Sequence, residues 1–228
     1  MSTQYNRFLK LLTIPLFAVL TLSAQAALLL DGGFEEPGSS PWTFTSNAQV
    51  TSISPISGSQ SALLSNNGLT QGAFVVGFQT ILLNDSDYAV GDEIFLSGLT
   101  QLLSVQGPLD RVYIELALRN SADPEGSGSV GDVDFLNSVS ADALFDTPLV
   151  QTLTTSSLVI TEFVTSLNGE TATTQGIRIA IAIAVNNGNQ LTAALFDDIK
   201  LQKVSAPGLF SLLIIAMLFT ALRKRTAG

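Results

Sequence analysis

In the segment GIRIAIAIAVN, Ile177, Ile179, Ile181, Ile183 and Val185 occupy every second position, with Arg178, Ala180, Ala182 and Ala184 between them. A period of two puts all five branched residues on one face of an extended strand, whereas a helix would scatter them around its axis. Branched side chains also lose rotamer freedom in a helix and pack well on a pleated surface. RVYIELALR repeats the pattern, with Val112, Ile114, Leu116 and Leu118 against Arg111, Tyr113, Glu115, Ala117 and Arg119. A chain that carries two such segments must build a sheet. The second segment predicts one dry and one wet face. In the first, the small Ala row opposite the Ile row predicts a face that is also covered, by a loop or the end of another strand.

Further strands are expected at Gln49–Ser54, Ser61–Leu64, Ala73–Leu82, Glu93–Leu99, Leu158–Ser166 and Leu195–Val204, separated by connections such as SPISGSQS, SNNGLTQG and NDSDYAVGDE. These are rich in the residues that favour turns. Eight or nine strands without a long helix predict an all-β fold, a two-sheet antiparallel β-sandwich. Between Asp132 and Leu153 the pattern fits a short helix or a loop excursion.

The chain has neither cysteine nor histidine. Disulfides, thiol chemistry, the common zinc sites and every His-based triad are therefore excluded, together with the usual general base near neutral pH. There is no G-x-S-x-G segment and no phosphate loop, and no Asp or Glu sits in a setting that argues for a raised pKa, so the chain is expected not to be an enzyme. All 19 acidic residues lie between Asp31 and Asp198, and residues 27–204 hold only five basic ones, a net charge of −14 for that body. Such a surface repels nucleic acid and attracts divalent cations.

The two ends read as addresses. Residues 1–26 have a basic start (Arg7, Lys10), an apolar stretch (Leu11–Leu22) and the small-x-small site Ala24-Gln25-Ala26. That is a secretory signal peptide, the competing reading being a retained anchor. Residues 205–228 contain fourteen uncharged residues, Leu209–Leu222, closed by Arg223-Lys224-Arg225. At about 21 Å as a helix the run is short for a bilayer core of roughly 30 Å. The basic cluster would stay cytoplasmic and leave the acidic body outside; the other reading is a buried helix of the domain. The folded body then spans residues 27–204. This layout resembles the bacterial PEP-CTERM class of exported proteins, although Ser205-Ala206-Pro207-Gly208 stands where the class has Pro-Glu-Pro. The resemblance implies an exosortase-like sorting protease as a partner, transient insertion in a Gram-negative inner membrane, and delivery to the cell surface or extracellular matrix.

The body opens with Asp31-Gly32-Gly33-Phe34-Glu35 followed by Trp42, continues with Gly58-Ser59-Gln60-Ser61-Ala62-Leu63-Leu64, and closes with Phe196-Asp197-Asp198-Ile199-Lys200-Leu201. The glycines permit a backbone path that lets carbonyls converge, and Phe34 can plug the sandwich while Glu35 turns outward. Asp197 shares the parity of Ile199 and Leu201, which places it at the rim of a core-facing row. If the first and last strands pair, Glu35 and Asp197 meet, and two carboxylates beside carbonyls form a hard oxygen site suited to Ca²⁺. These segments, in this order, resemble the galactose-binding-like jelly roll common among carbohydrate-binding modules. The resemblance implies a structural calcium held by Glu35, Asp197 and the carbonyls near Asp31 and Gly33. The acids of Ser121–Asp134 offer a second grouping, but their spacing departs from the EF-hand order and reads as a surface loop.

Sugar recognition needs aromatic faces and polar groups. Trp42, Tyr88 and Tyr113 are the aromatic candidates, with Asn186 and Asn187 as amides; the duller readings are a core plug for Trp42 and a turn for the Asn run. The sequence thus predicts a non-enzymatic surface protein associated with extracellular polysaccharide and stiffened by Ca²⁺. The alternatives are a lectin-like module for a specific glycan and a hydrolase built on two carboxylates.

Overall fold

The computed structural model describes residues 29–36, 40–45, 47–67, 69–83, 86–105, 110–120, 135–144, 149–165, 171–186 and 191–204. The segments read as leader (1–26) and apolar tail (205–228), the acidic segment Ser121–Asp134 and Asn187 lie outside these residues. In chain order the strands are β1 (Thr43–Phe44), β2 (Ala48–Thr51), β3 (Ser61–Ser65), β4 (Phe74–Leu82), β5 (Glu93–Val105), β6 (Arg111–Arg119) and β7 (Phe135–Asp142). They continue with β8 (Gln151–Thr154), β9 (Leu158–Val159), β10 (Phe163–Thr165), β11 (Thr171–Thr173), β12 (Gly176–Ala184) and β13 (Thr192–Lys203).

The two segments with the cleanest alternation, β6 and β12, lie side by side in a five-stranded sheet of order β1-β4-β12-β6-β7. The other large sheet runs β2-β3-β13-β5-β8, with β9 also on β5, and β10 and β11 form a separate ribbon. All these pairings are antiparallel. From β3 to β6 the chain crosses between the large sheets at every step, so the result is a jelly-roll β-sandwich. Its core is the meeting of two apolar rows. Ile177, Ile179, Ile181 and Ile183 of β12 and Val112 to Leu118 of β6 face Ala62, Leu64, Ile94, Leu96, Phe196 and Leu201 of the other sheet. Each of these isoleucines is fully enclosed. Such burial contributes about 1.5–3 kcal/mol per side chain.

Four expectations change. Residues 135–142 and 151–154 are strands β7 and β8, not a helix or an excursion: β7 completes the edge beside β6, where cross-strand pairing outweighs a weak local pattern. β5 runs to Val105 because its outward positions Leu99 and Leu103 are apolar too, which hides the alternation. The stretch 158–166 is broken, since Leu158–Val159 pairs with β5 while Phe163–Thr165 pairs with β11. Lastly, the outer face of β6 is mostly dry. Tyr113, Ala117 and Arg119 are buried there and only Arg111 is exposed.

The outer face of β12 is covered, as its Ala row predicts, and by neighbouring side chains. Tyr113, opposite Ala182, packs with Ala182, Ala184 and Val76 as a small second cluster. The Arg111 guanidinium caps the Tyr113 ring at 4.7 Å and Arg178 caps Phe78 at 4.5 Å. Alanine leaves room for rings to lie close to the sheet, and cations seal them from water.

Candidate functional site

The site is built where β13 breaks its register against β5. Asp197 pairs with Leu99 and Lys200 with Ser97, so three steps on β13 match two on β5. The extra residue makes a β-bulge. Asp198, within it, lies in the left-handed region with φ 52 degrees. The bulge changes the parity of the strand. Phe196, Ile199 and Leu201 all face the core, and Asp197 falls on the opposite face from Ile199 and Leu201. The rim position expected from shared parity is therefore corrected: the bulge turns Asp197 away from the core. It is nonetheless fully enclosed, beneath two loops.

One of these loops is the opening turn. Its contact with β13 is a single backbone bond at the bulge, Ile199 N–H donating to Gly32 O at 2.8 Å, rather than the strand pairing expected. The approach is so close that a Cβ on Gly32 would overlap the Ile199 carbonyl oxygen. Only glycine tolerates that position. Asp31 and Phe34 both hold positive φ, at 50 and 57 degrees. For an aromatic residue that is an uncommon state. The turn is offset by its own bonds: the Asp31 carboxylate accepts from Glu35 N–H (2.6 Å) and Glu36 N–H (3.2 Å), and the Asp31 carbonyl accepts from Phe34 N–H and the Trp42 indole N–H. Phe34 then points inward, its ring 5.1 Å from that of Trp42, and Glu35 points outward.

The other loop precedes β3. Asp197 Oδ2 accepts from Ser57 N–H at 2.9 Å and Ser61 Oγ–H at 2.8 Å, while Oδ1 accepts from Asp198 N–H at 2.7 Å. Glu35 grips the same loop. Its Oε1 accepts from Ser59 N–H at 2.6 Å and Gln60 N–H at 3.1 Å, and Oε2 accepts from the Ser59 hydroxyl. Hydrogen bonds from the Ser59 side chain and backbone and from Gln60 hold the Glu35 pKa below its ordinary value. Gly58 has positive φ, and a Cβ there would overlap Glu35 Oε1.

The Glu35 and Asp197 side chains both lie against Gly33, where a Cβ would stand 3.7 Å from Glu35 Cγ and 3.9 Å from Asp197 Oδ1. One oxygen of each carboxylate accepts a single hydrogen bond and keeps a lone pair. Among the described residues none of Asp31, Glu35 and Asp197 has a cationic side chain as an ion-pair partner. Nor do three acids among those residues converge as a cage of their own. Two carboxylates, each with a spare lone pair and without a cationic partner among the described residues, suit a hard cation in chemical type.

The other candidates are spread out. Trp42 and Tyr88 are buried in the main core and present no ring face to solvent. Burial, with Asp92 and Asp87 nearby, pushes the Tyr88 hydroxyl pKa well up. Tyr113 lies on the five-stranded sheet under Arg111, its pKa pushed up to about 12, first by burial and then by Glu115. Asn186 is exposed, and its backbone N–H donates to Asp110 Oδ1 at 2.8 Å. The roles of Ser57, Ser59 and Ser61 were not singled out by sequence reading, although the loose Gly58–Leu64 motif contains the latter two. Asp110 was missed as well. Nearly enclosed, it accepts from Asn66 Nδ2–H (2.6 Å) and Thr192 Oγ1–H (2.7 Å), and no local pattern announces it.

Among solved structures the chain is similar to the CBM22-1 xylan-binding domain of Paenibacillus barcinonensis Xyn10C, at 18% identity and TM-score 0.47 over 81% of this chain and 99% of that one. It is also similar to the metal-free form of lectin I-B4 from Griffonia simplicifolia, at 10% identity and TM-score 0.42 over 76% of this chain and 98% of that one. Neither a family profile nor a curated protein matches the sequence.

Proposed function

We propose that this chain is a non-catalytic, exported β-sandwich that associates with extracellular polysaccharide or matrix and is stiffened by Ca²⁺ at the Glu35–Asp197 knot. One observation supports this above the others. The three segments on which the jelly-roll resemblance rests, at residues 31–35, 58–61 and 196–199, converge in one place, where two carboxylates hold one loop. Glu35, Asp197 and the backbone oxygens near Asp31 and Gly33 would hold the ion, which supplies positive charge to acids that lack a cationic partner among the described residues. The leader and the apolar tail would carry the body to the cell surface, with an exosortase-like protease acting on the tail.

Thermal melting with and without chelator tests the ion. Binding only to the folded state adds about 2.7 kcal/mol when free Ca²⁺ is a hundredfold above Kd. The melting temperature is expected to rise with Ca²⁺ in the native protein and to stay fixed in Glu35→Ala; identical curves with Ca²⁺ and with chelator would remove the ion. Co-sedimentation with the producer's own polysaccharide tests the partner, and turnover of that polymer would favour the hydrolase reading instead.

A further inference from the structure

We propose that the outward face of β2 and β3 is a binding site for an uncharged, hydroxyl-rich ring, a neutral sugar unit of a polysaccharide. This rests on the polysaccharide association proposed above and gives it a place and a ligand class. A depression of about 320 Å³ opens there, lined by Asn47, Ala48, Gln49, Leu63, Ser65 and Asn67. Alternation explains the lining. Val50, Ala62 and Leu64 turn into the core, so Gln49, Leu63 and Ser65 must turn outward, with Gln49 paired to Leu63 in the ladder. Asn47 and Asn67 extend the two rows beyond the strands.

The chemistry of the lining is selective. Three carboxamides and a hydroxyl offer both donors and acceptors, which suits sugar hydroxyls that both give and accept hydrogen bonds. Among the described residues no Asp, Glu, Lys or Arg lines the depression. In a body of net charge −14 that makes it a neutral place, suited neither to a uronate nor to a cation. Half-buried Leu63 supplies an apolar floor for the C–H side of a ring. The Gln49 and Asn67 side-chain amides make no hydrogen bond among the described residues. Asn47, by contrast, is pinned: its backbone holds positive φ and its Nδ2–H donates to Asn67 O at 2.9 Å, leaving Oδ1 to face a ligand. The volume falls at the lower end of small-ligand clefts, about 300–1,000 Å³, room for one or two rings rather than a long chain.

The test uses the full chain in detergent, with neutral gluco-, manno- and xylo-oligosaccharides and a uronate oligomer as probes, read by the side-chain amide signals in ¹⁵N spectra. A neutral series is expected to shift the Gln49 and Asn67 amides and the uronate to leave them still. Gln49→Ala and Asn67→Ala should each weaken binding about tenfold, with melting temperature and its Ca²⁺ response unchanged. If the protein sediments with polysaccharide while these amides stay unmoved or the variants bind normally, the site is wrong and the wider reading stands. Equal shifts with the uronate overturn the neutral class. If neither oligosaccharide nor polysaccharide binds, the association itself falls, and this site with it.

Discussion

Two buried carboxylate knots lie along β13, and they are made differently. At its start, Asp110 is held by Thr192 and Asn66, and these two also bind each other, Thr192 N–H donating to Asn66 Oδ1 at 2.7 Å. Further along, Asp197 is held by the loop before β3 and by the bulge, with a second acid, Glu35, on the same loop. The first knot is built from Asn and Thr side chains and the Asn186 N–H. The second assembles positive-φ residues, Asp31, Phe34, Gly58 and Asp198, around two acids. The partners of the first acid include three neutral donors, Asn66, Thr192 and the Asn186 N–H. Two neighbouring acids and a contorted backbone are the costlier arrangement, and strain of this kind persists where the surroundings over-determine it, as at ligand sites.

The contrast is sharpest in substitutions. Asp197→Ala removes the acceptor of three donors from two stretches of chain, the segment leading into β3 and the bulge. It is expected to cost about 3 kcal/mol in denaturant unfolding and to abolish any Ca²⁺ response. Asp110→Ala should leave that response intact, and the Asn66–Thr192 bond survives it. Its cost is expected to be of the same order, about 3 kcal/mol, because Asp110 also accepts from three donors. If both variants lose the Ca²⁺ response equally, the two knots do not differ in the way argued. Gly58→Ala forces a Cβ onto Glu35 Oε1 at a left-handed position, where the same change at an open loop glycine such as Gly72 meets no neighbouring atom. The Gly58 variant is expected to lose roughly 1 kcal/mol or more of stability in the same unfolding measurement.

The smallest effect is acidic. The folded pKa of Glu35 lies below its ordinary 4.5, held down by donors from Ser59 and Gln60. Its contribution is therefore complete above the unfolded pKa and lost as pH falls through the lower folded value. Melting temperatures of the native protein and Glu35→Gln, taken in chelator, should differ near neutral pH and converge as pH falls through the lowered folded value. A gap that widens in acid would contradict the assignment.

Much of the sandwich was legible because period-two patterning is a local property. Val112 to Leu118 and Ile177 to Ile183 each announce a strand and its dry face without reference to the rest of the chain. Legibility failed where neighbours decided. β7 is a strand because β6 offers an edge, and Tyr113 is buried because Ala182 and Ala184 leave it a bed. The knot lies between these cases. The pieces DGGFE, GSQS and FDDI could be picked out, and the meeting of the first and last could be expected if the chain's two edges came together. The means of meeting could not be read, since a bulge is one extra residue counted against a partner strand that the sequence does not identify.

By itself, then, the sequence determined the sheet-forming segments, the absence of thiol and imidazole chemistry, and which acids were available. Only the tertiary structure decided that Asp197 leaves the core row, that Glu35 and Asp197 hold one loop, and that Asn47, Gln49 and Asn67 line one depression. The physical reason is range. Side-chain alternation acts over two residues, whereas these arrangements depend on register and backbone approach between segments up to 140 residues apart.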